Sequence, residues 1–367
     1  MDRMGLHALY LSGTDPHRSE YLCDHWQTRR FATGFTGSYG EVVITGDHTG
    51  LWTDTRYFIQ AEEELEGTGI TLHPLRVPRA VSVPEWLATQ LKAGERVGID
   101  PFSLPLDVFR QLSSPLKGAD VELVATPGLL DEVWTTRPAF PAEPVFELPE
   151  SVTGESHLQK AERIRAILKQ KGCDMTLITA LDDLAWTYNL RGSDVPYNPV
   201  FYGFAIIGEH TDLLFTHLDS IPEDLKLQLV SKGVELRAYT EFQQVLERLN
   251  GYQIYIDPQT VATGYRDIIS GNNLITEGTS IPCSLKAVKN VVELQGWRDA
   301  MVQDGIAMIQ FLRWLKEQVT EGELTEYEAG RTVAEFRSQR QGFRGESFPP
   351  IVGYGSHGAM VHLSVNA

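Results

Sequence analysis

Three stretches of this sequence occur twice, in the same order, and that repetition limits what the chain can become. GLHALYLSGTD from Gly5 and GCDMTLITALD from Gly172 each place a Gly before an alternating apolar run and an Asp ten residues on. VVITGDHTGLW from Val42 and FAIIGEHTDLL from Phe204 both read as strand, Gly-acid-His-Thr turn, strand, the pattern of a hairpin. GERVGIDP from Gly94 and GYQIYIDP from Gly251 each end a strand in Ile-Asp-Pro. The offsets between copies are 167, 162 and 157 residues, drifting slightly but keeping order. Ordered matches of this kind predict a tandem duplication of one α/β unit of about 150 residues.

Helical stretches follow each hairpin, YFIQAEEEL in the first copy and the run around FQQVLERL in the second. Before the second copy, ESHLQKAERIRAILKQKG sets Leu158, Ala161, Ile164, Ala166, Ile167 and Leu168 on a helical stripe, with Gly172 at its end. Strands mixed with helices, joined by hairpins as well as crossovers, predict a mixed sheet with helices against it. The joint, TTRPAFPAEPVFELPESVTG, is rich in proline and reads as extended linker.

Past Leu285 the pattern changes. KNVVELQGWRDAMVQDGIAMIQFLRWLKEQV predicts a long amphipathic helix with Asn290 as N-cap and Glu293 closing a capping box. Trp297, Met301, Ile306, Met308, Phe311, Leu312 and Leu315 are expected on its buried side. A second helix starts at Thr325 with Glu328 in the same capping role, and a glycine-spaced terminal strand carrying His357 and His362 is expected after it. The expected division is 1–150, 151–285 and an incomplete third module over 286–367.

Composition narrows the function classes. At 42% hydrophobic and 22% charged the chain reads as an ordinary globular protein, with no apolar run long enough to span a bilayer. The start, MDRMGLHALYLSGTD, does not read as a secretory signal. Three separated cysteines without CxxC spacing argue for a reducing, cytoplasmic setting and against a zinc site. A net charge of −17 argues against nucleic acid, and neither a nucleic-acid nor a membrane partner is expected. GxGxxG after a strand, Walker A, HExxH and G-x-S-x-G are all missing from the sequence.

SEYLCDHWQTRRFATGFTGS, LWTDTRYFIQA, NLRGSDVPYNPVF, LKAVKN and GAMVHL together resemble the three-domain aminopeptidase P family, the Xaa-Pro aminopeptidases. The resemblance runs from Asp15 to His362 with the motifs in family order. It implies two creatinase-type N-terminal α/β domains and then the start of a pita-bread α+β metallopeptidase domain. The implied activity is removal of the N-terminal residue of peptides whose second residue is proline, by a water activated between two divalent ions, usually Mn²⁺. The family's metal ligands (two Asp, one His, two Glu) lie downstream of the histidine that His362 matches. These 367 residues are therefore expected to bind no metal and to be inactive alone. A homodimer is expected, with proline-containing peptides as substrate.

Through the resemblance His362 becomes a catalytic and substrate-binding residue near the reacting carbonyl, although Leu363 follows it where the family commonly has an aromatic. Arg56 matches a substrate-contacting arginine, a role suited to a planar guanidinium fork; the plain alternative is an ion pair with Asp54 or Glu62. His357 reads as a loop residue rather than a ligand. RGSDVPYNPVF is a candidate binding loop in which Asp194 is expected to fix Arg191. Asp182 and Asp183 are expected to cap a helix. Two other readings stay open: a non-catalytic oligomerisation or peptide-docking module, and, more weakly, a metal-free creatinase-like C–N hydrolase.

Overall fold

A computed structural model describes residues 1–319, 322 and 324–360. The first unit contains β1 (Ala8–Leu11), β2 (Glu41–Thr45), β3 (Thr49–Thr53), β4 (Thr71–Pro74), β5 (Arg96–Ile99) and β6 (Glu122–Ala125). Then follow β7 (Phe146–Glu147), β8 (Met175–Ile178), β9 (Leu190–Arg191), β10 (Gly203–Gly208), β11 (Asp212–Thr216), β12 (Glu235–Ala238), β13 (Gln253–Ile256) and β14 (Leu274–Glu277).

Two six-stranded sheets result, ordered β4-β3-β2-β1-β5-β6 and β12-β11-β10-β8-β13-β14. Strand for strand the two orders match, including antiparallel pairs at the hairpin and parallel pairs outside it. The duplication is thus a duplication of topology. Its register is close but not perfect. Ala8 faces Thr45 and Val97 just as Met175 faces Gly208 and Ile254, so two of the three sequence matches coincide with the ladders. The hairpin match is one residue out: Ile44 pairs with Thr49, whereas Ile207 pairs with Asp212. The shared Gly-acid-His-Thr letters therefore fill different turn positions in the two copies.

Each sheet is covered on both faces. On β10, Phe204 and Ile206 point into one cluster and Ala205 and Ile207 into the other, as a period of two requires. Helices Glu241–Arg248 and Thr263–Ser270 close the first cluster through Phe242, Leu246 and Ile269; helix His157–Gln170 closes the second through Ile164 and Leu168. Only part of the expected stripe on that last helix is buried. Ala161, Ile164 and Leu168 face the core, but Leu158 and Ala166 are exposed, and His157 and Lys160 are buried instead.

The units are bolted together. The buried His17 ring lies against Thr179 O at 2.7 Å and Tyr239 Oη at 2.8 Å, and Tyr202 Oη donates to Asp15 Oδ2 at 3.0 Å. Arg110 forks onto Glu277 at 2.6 and 2.7 Å. Between the units the proline-rich joint is extended and packed, Val145 N–H donating to Ser220 O, with β7 paired to β9.

Beyond the second sheet, both capping boxes are present: Asn290 with Glu293 opens the helix Val291–Gln318, and Thr325 with Glu328 opens Glu326–Ser338. The long helix departs from its expected burial. Only Ala307 and Phe311 are buried, against Ala329 and Val333 of the following helix; Trp297, Met301 and Leu312 are exposed. The helix Glu326–Ser338 covers one stripe of this rod about 42 Å long and the short helix Glu150–Thr153 packs near its start, leaving Trp297, Met301 and Leu312 exposed. After them a 3-10 turn, Gly355–Ala359, stands where a strand carrying His357 was expected. His362 lies outside the described residues.

Candidate functional site

Arg56 sits where β3 gives way to the helix Phe58–Leu65, in the Thr53–Tyr57 stretch of the WTDTRYF motif. The segment turns because the Asp54 carboxylate accepts the Arg56 backbone N–H at 3.2 Å, while Tyr57 N–H donates to Asp54 O. Asp54 is 1% exposed and is the hub. Arg56 Nε donates to Oδ1 at 2.9 Å and Nη2 to Oδ2 at 3.0 Å, and Arg76 Nη1 reaches Oδ2 at 3.1 Å. Burial alone would raise the Asp54 carboxyl, but the hydrogen bonds and charge of Arg56, with the charge of Arg76, hold it below its ordinary value. Both guanidinium groups lie over the Tyr39 ring, at 5.6 and 5.3 Å. Arg76 adopts φ 58°, a left-handed backbone uncommon for a branchless non-glycine residue and set here by the turn that brings its side chain to Asp54.

Two cations share one carboxylate over the Tyr39 ring, and the charge of Glu20 also acts on Arg56. Arg56 Nη1 has no hydrogen-bond partner among the described residues, so the fork is fixed by one edge and open at the other. Such a group binds a carbonyl or carboxylate oxygen without first having to be ordered. The ion pair with Asp54 and the open donor are both present; Glu62 takes no part.

The other expectations resolve differently. Asp194 does not fix Arg191: it accepts from Glu143 N–H at 3.0 Å and Tyr202 N–H at 2.8 Å, while Arg191 donates to Ala185 O and Leu190 O. Burial nevertheless pushes the Asp194 carboxyl up. Asp182 and Asp183 lie in the first turn of the helix Leu181–Tyr188 but do not cap it as expected: Ala180 is the N-cap with no side-chain cap bond, and both carboxylates bond Lys286. His357 is an exposed turn residue whose Nδ1 lies 2.7 Å from Glu326 Oε2.

Sequence reasoning missed a second concave region, of about 810 Å³, between the second unit and the long helix. Lys160, Trp186, Arg191, Glu293, Trp297 and Met301 contribute to its lining. Lys160 Nζ donates to Trp186 O at 2.8 Å and Asn189 Oδ1 at 2.6 Å, and lies 4.2 Å from the Trp186 ring centre. Burial lowers its pKa from 10.5 to about 8. Lys160 lies on the same helix face as His157, Ala161, Ile164 and Leu168, and is buried there with its partners. Between pH 8 and 10.5 the unfolded chain holds the Lys160 proton more tightly than the folded one, so stability rises with pH there. Lys160→Met is expected to remove ~2–3 kcal/mol of the rise between pH 7 and pH 10, read as the difference in denaturant unfolding free energies.

Among the described residues no group of three or more His, Cys, Asp or Glu side chains is placed to hold a metal ion. The described residues therefore do not fit a dinuclear centre. No helix of the described residues is long and apolar enough to cross a membrane.

Comparison with known proteins places these features. The Creatinase/Prolidase N-terminal domain matches residues 1–133 and again 136–293, and Metallopeptidase family M24 matches 295–367. The Xaa-Pro aminopeptidase app-1 of Caenorhabditis elegans is 34% identical over 97% of this chain and 59% of its own length. Human Xaa-Pro aminopeptidase 2 is 33% identical over 99% of this chain and 55% of its own. The crystal structure of the C. elegans X-prolyl aminopeptidase, described as a cytosolic enzyme with a di-nuclear active site, superposes with a TM-score of 0.93 at 33% identity. That match covers 98% of this chain and 60% of the other. The chain thus spans 55–60% of the length of these relatives.

Proposed function

The chain belongs to the aminopeptidase P family, with two creatinase-type domains leading into the start of an M24 metallopeptidase domain, and from that premise we propose that it serves the hydrolysis of Xaa-Pro peptides. The substrate is a peptide with proline second, and the reaction frees the residue before it. A dinuclear divalent centre, manganese by family expectation, supplies the activated water when bound. The described residues hold no such centre, and no chemical step is assigned to them. The organisation proposed is three modules over 1–150, 151–285 and 286–367. A cytoplasmic, homodimeric enzyme is part of the same proposal.

One observation carries the role of these residues. The Arg56 fork is locked on one edge by a buried carboxylate and open on the other, in the motif that matches the family's substrate-contacting arginine. Arg56 donates to a peptide oxygen and Asp54 positions it; His362 keeps the catalytic and substrate-binding role that the resemblance implies. In an active full-length protein carrying these residues, Arg56→Ala is expected to lower kcat/KM for an Xaa-Pro peptide by roughly 10- to 150-fold, the loss of one charged hydrogen bond of ~1.5–3 kcal/mol. Steady-state kinetics decide it: unchanged kcat/KM overturns the role of Arg56.

The open apolar face of the helix Val291–Gln318 favours a second reading, in which the chain is a non-catalytic module that docks onto another polypeptide.

A further inference from the structure

The peptidase reading leaves unused a cluster at one end of the first sheet. His48 precedes β3, and His73 lies on the edge strand β4. Their Nε2 atoms are 3.1 Å apart. His73 stacks flat on Trp52, with ring centres 3.9 Å apart and planes 4° from parallel, and His48 packs on Trp86 at 4.8 Å. Gly50 makes the approach possible: a Cβ there would sit 2.8 Å from His48 Nε2 and 2.5 Å from the Trp52 ring.

Three other histidines turn their ring nitrogens to protein oxygens, whereas the buried His217 Nδ1 has no partner among the described residues and His7 Nδ1 accepts the Arg96 N–H. His17 lies against Thr179 O and Tyr239 Oη, His157 against Thr187 O and Asp212, and His25 against Pro138 O. His48 and His73 have no oxygen partner for their ring nitrogens among the described residues; each turns Nε2 to the other. Two imidazole nitrogens about 2.0–2.1 Å from one metal ion stand roughly 2.9 Å apart in a square-planar site and roughly 3.3 Å apart in a tetrahedral one. The observed separation falls between them. A cavity of about 670 Å³ lined by Asp47, His48, Trp86 and Glu95, among others, opens on the His48 side of the pair, with His73 outside its lining.

We propose that His48 and His73 form a two-imidazole site for a late first-row divalent cation, with the remaining positions filled by water. Imidazole suits Zn²⁺, Ni²⁺ and Cu²⁺, and Cu²⁺ binds tightest in that series. This departs from the expectation of a metal-free chain, and it is independent of the peptidase reading. Nothing hydrolytic is assigned to the site.

The test uses the 367-residue chain and Cu²⁺ as probe. Because Trp52 lies under one ligand, saturable quenching of tryptophan fluorescence at one equivalent is expected, with an electron paramagnetic resonance signal split by two imidazole nitrogens. His48→Gln and His73→Gln should each weaken binding by at least about tenfold and reduce the splitting to one nitrogen. Unfolding of each variant without metal checks the fold; His48, in the turn, is the gentler change and suffices alone. Absence of saturable binding, or a His48→Gln variant with wild-type affinity and two-nitrogen splitting, overturns the proposal. In that case the pair is a hydrogen bond only.

Discussion

Incubated with Mn²⁺ and a peptide whose second residue is proline, the purified 367-residue chain is expected to release no N-terminal residue. The metal-assisted route expected of the family uses a water whose pKa has fallen from 15.7 to about 7, and a protein achieves that by holding a cation with several convergent donors. The described residues offer no group of three such donors. Two imidazoles at His48 and His73 are too few to fix a pair of metal ions, and they lie among tryptophans rather than beside the Arg56 fork. Arg56 and Asp54 have no proton to move at neutral pH: the guanidinium stays protonated and the carboxyl is held ionised. Product analysis by mass spectrometry reads the result. Turnover by the pure chain, resistant to removal of contaminating peptidases, overturns the assignment of the hydrolytic machinery to the remaining length of the relatives. Turnover restored only in a protein carrying that further length supports it.

The duplicated sheet was legible because strand order follows from apolar runs whose spacing survives divergence. Gly5 and Gly172 precede equivalent central strands, and the two Ile-Asp-Pro stretches end equivalent parallel strands. The hairpin turn was legible only to within a residue. Turn letters are chosen for local backbone geometry, so Gly46-Asp47-His48-Thr49 and Gly208-Glu209-His210-Thr211 look alike while their ladders differ by one step. Helix starts at Asn290 and Thr325 were readable from the capping pattern, since a cap is a contact between residues three apart. Burial along the long helix was not, because it depends on what packs there, and periodicity names a face without naming its cover. Arg56 was found through its motif, but Arg76, twenty residues away, joins it only when β4 lies beside β3. The Lys160 cavity and the histidine pair share that character: they are products of tertiary approach.

Asp212→Ala is expected to destabilise the second unit by ~3–5 kcal/mol, the cost of breaking a buried charged network by removing one partner. Asp212 starts β11, at the ladder place held by Thr49 in the first copy, so the network belongs to the second unit alone. Its Oδ2 lies 2.9 Å from His157 Nε2 and its Oδ1 accepts the Tyr188 hydroxyl at 2.7 Å; Arg165 Nη2 approaches at 3.4 Å. All but the arginine are buried, and the Tyr188 ring stacks on His157 with centres 4.3 Å apart. Burial, then the charge of Asp212, push the tyrosine pKa well above its ordinary value, so its hydroxyl remains a donor wherever the fold persists. Without the carboxylate, His157 Nε2 loses its partner and the Tyr188 hydroxyl keeps only the long contact to Leu213 O at 3.5 Å, at ~1–3 kcal/mol each. Tyr188→Phe removes one bond and leaves no orphan donor, so it should cost only ~1 kcal/mol. Urea unfolding separates the cases: a fall in midpoint without a change of slope, several-fold larger for Asp212→Ala than for Tyr188→Phe, follows from this geometry. Equal effects would mean that packing of the ring, rather than the carboxylate, holds His157 and Tyr188 in place.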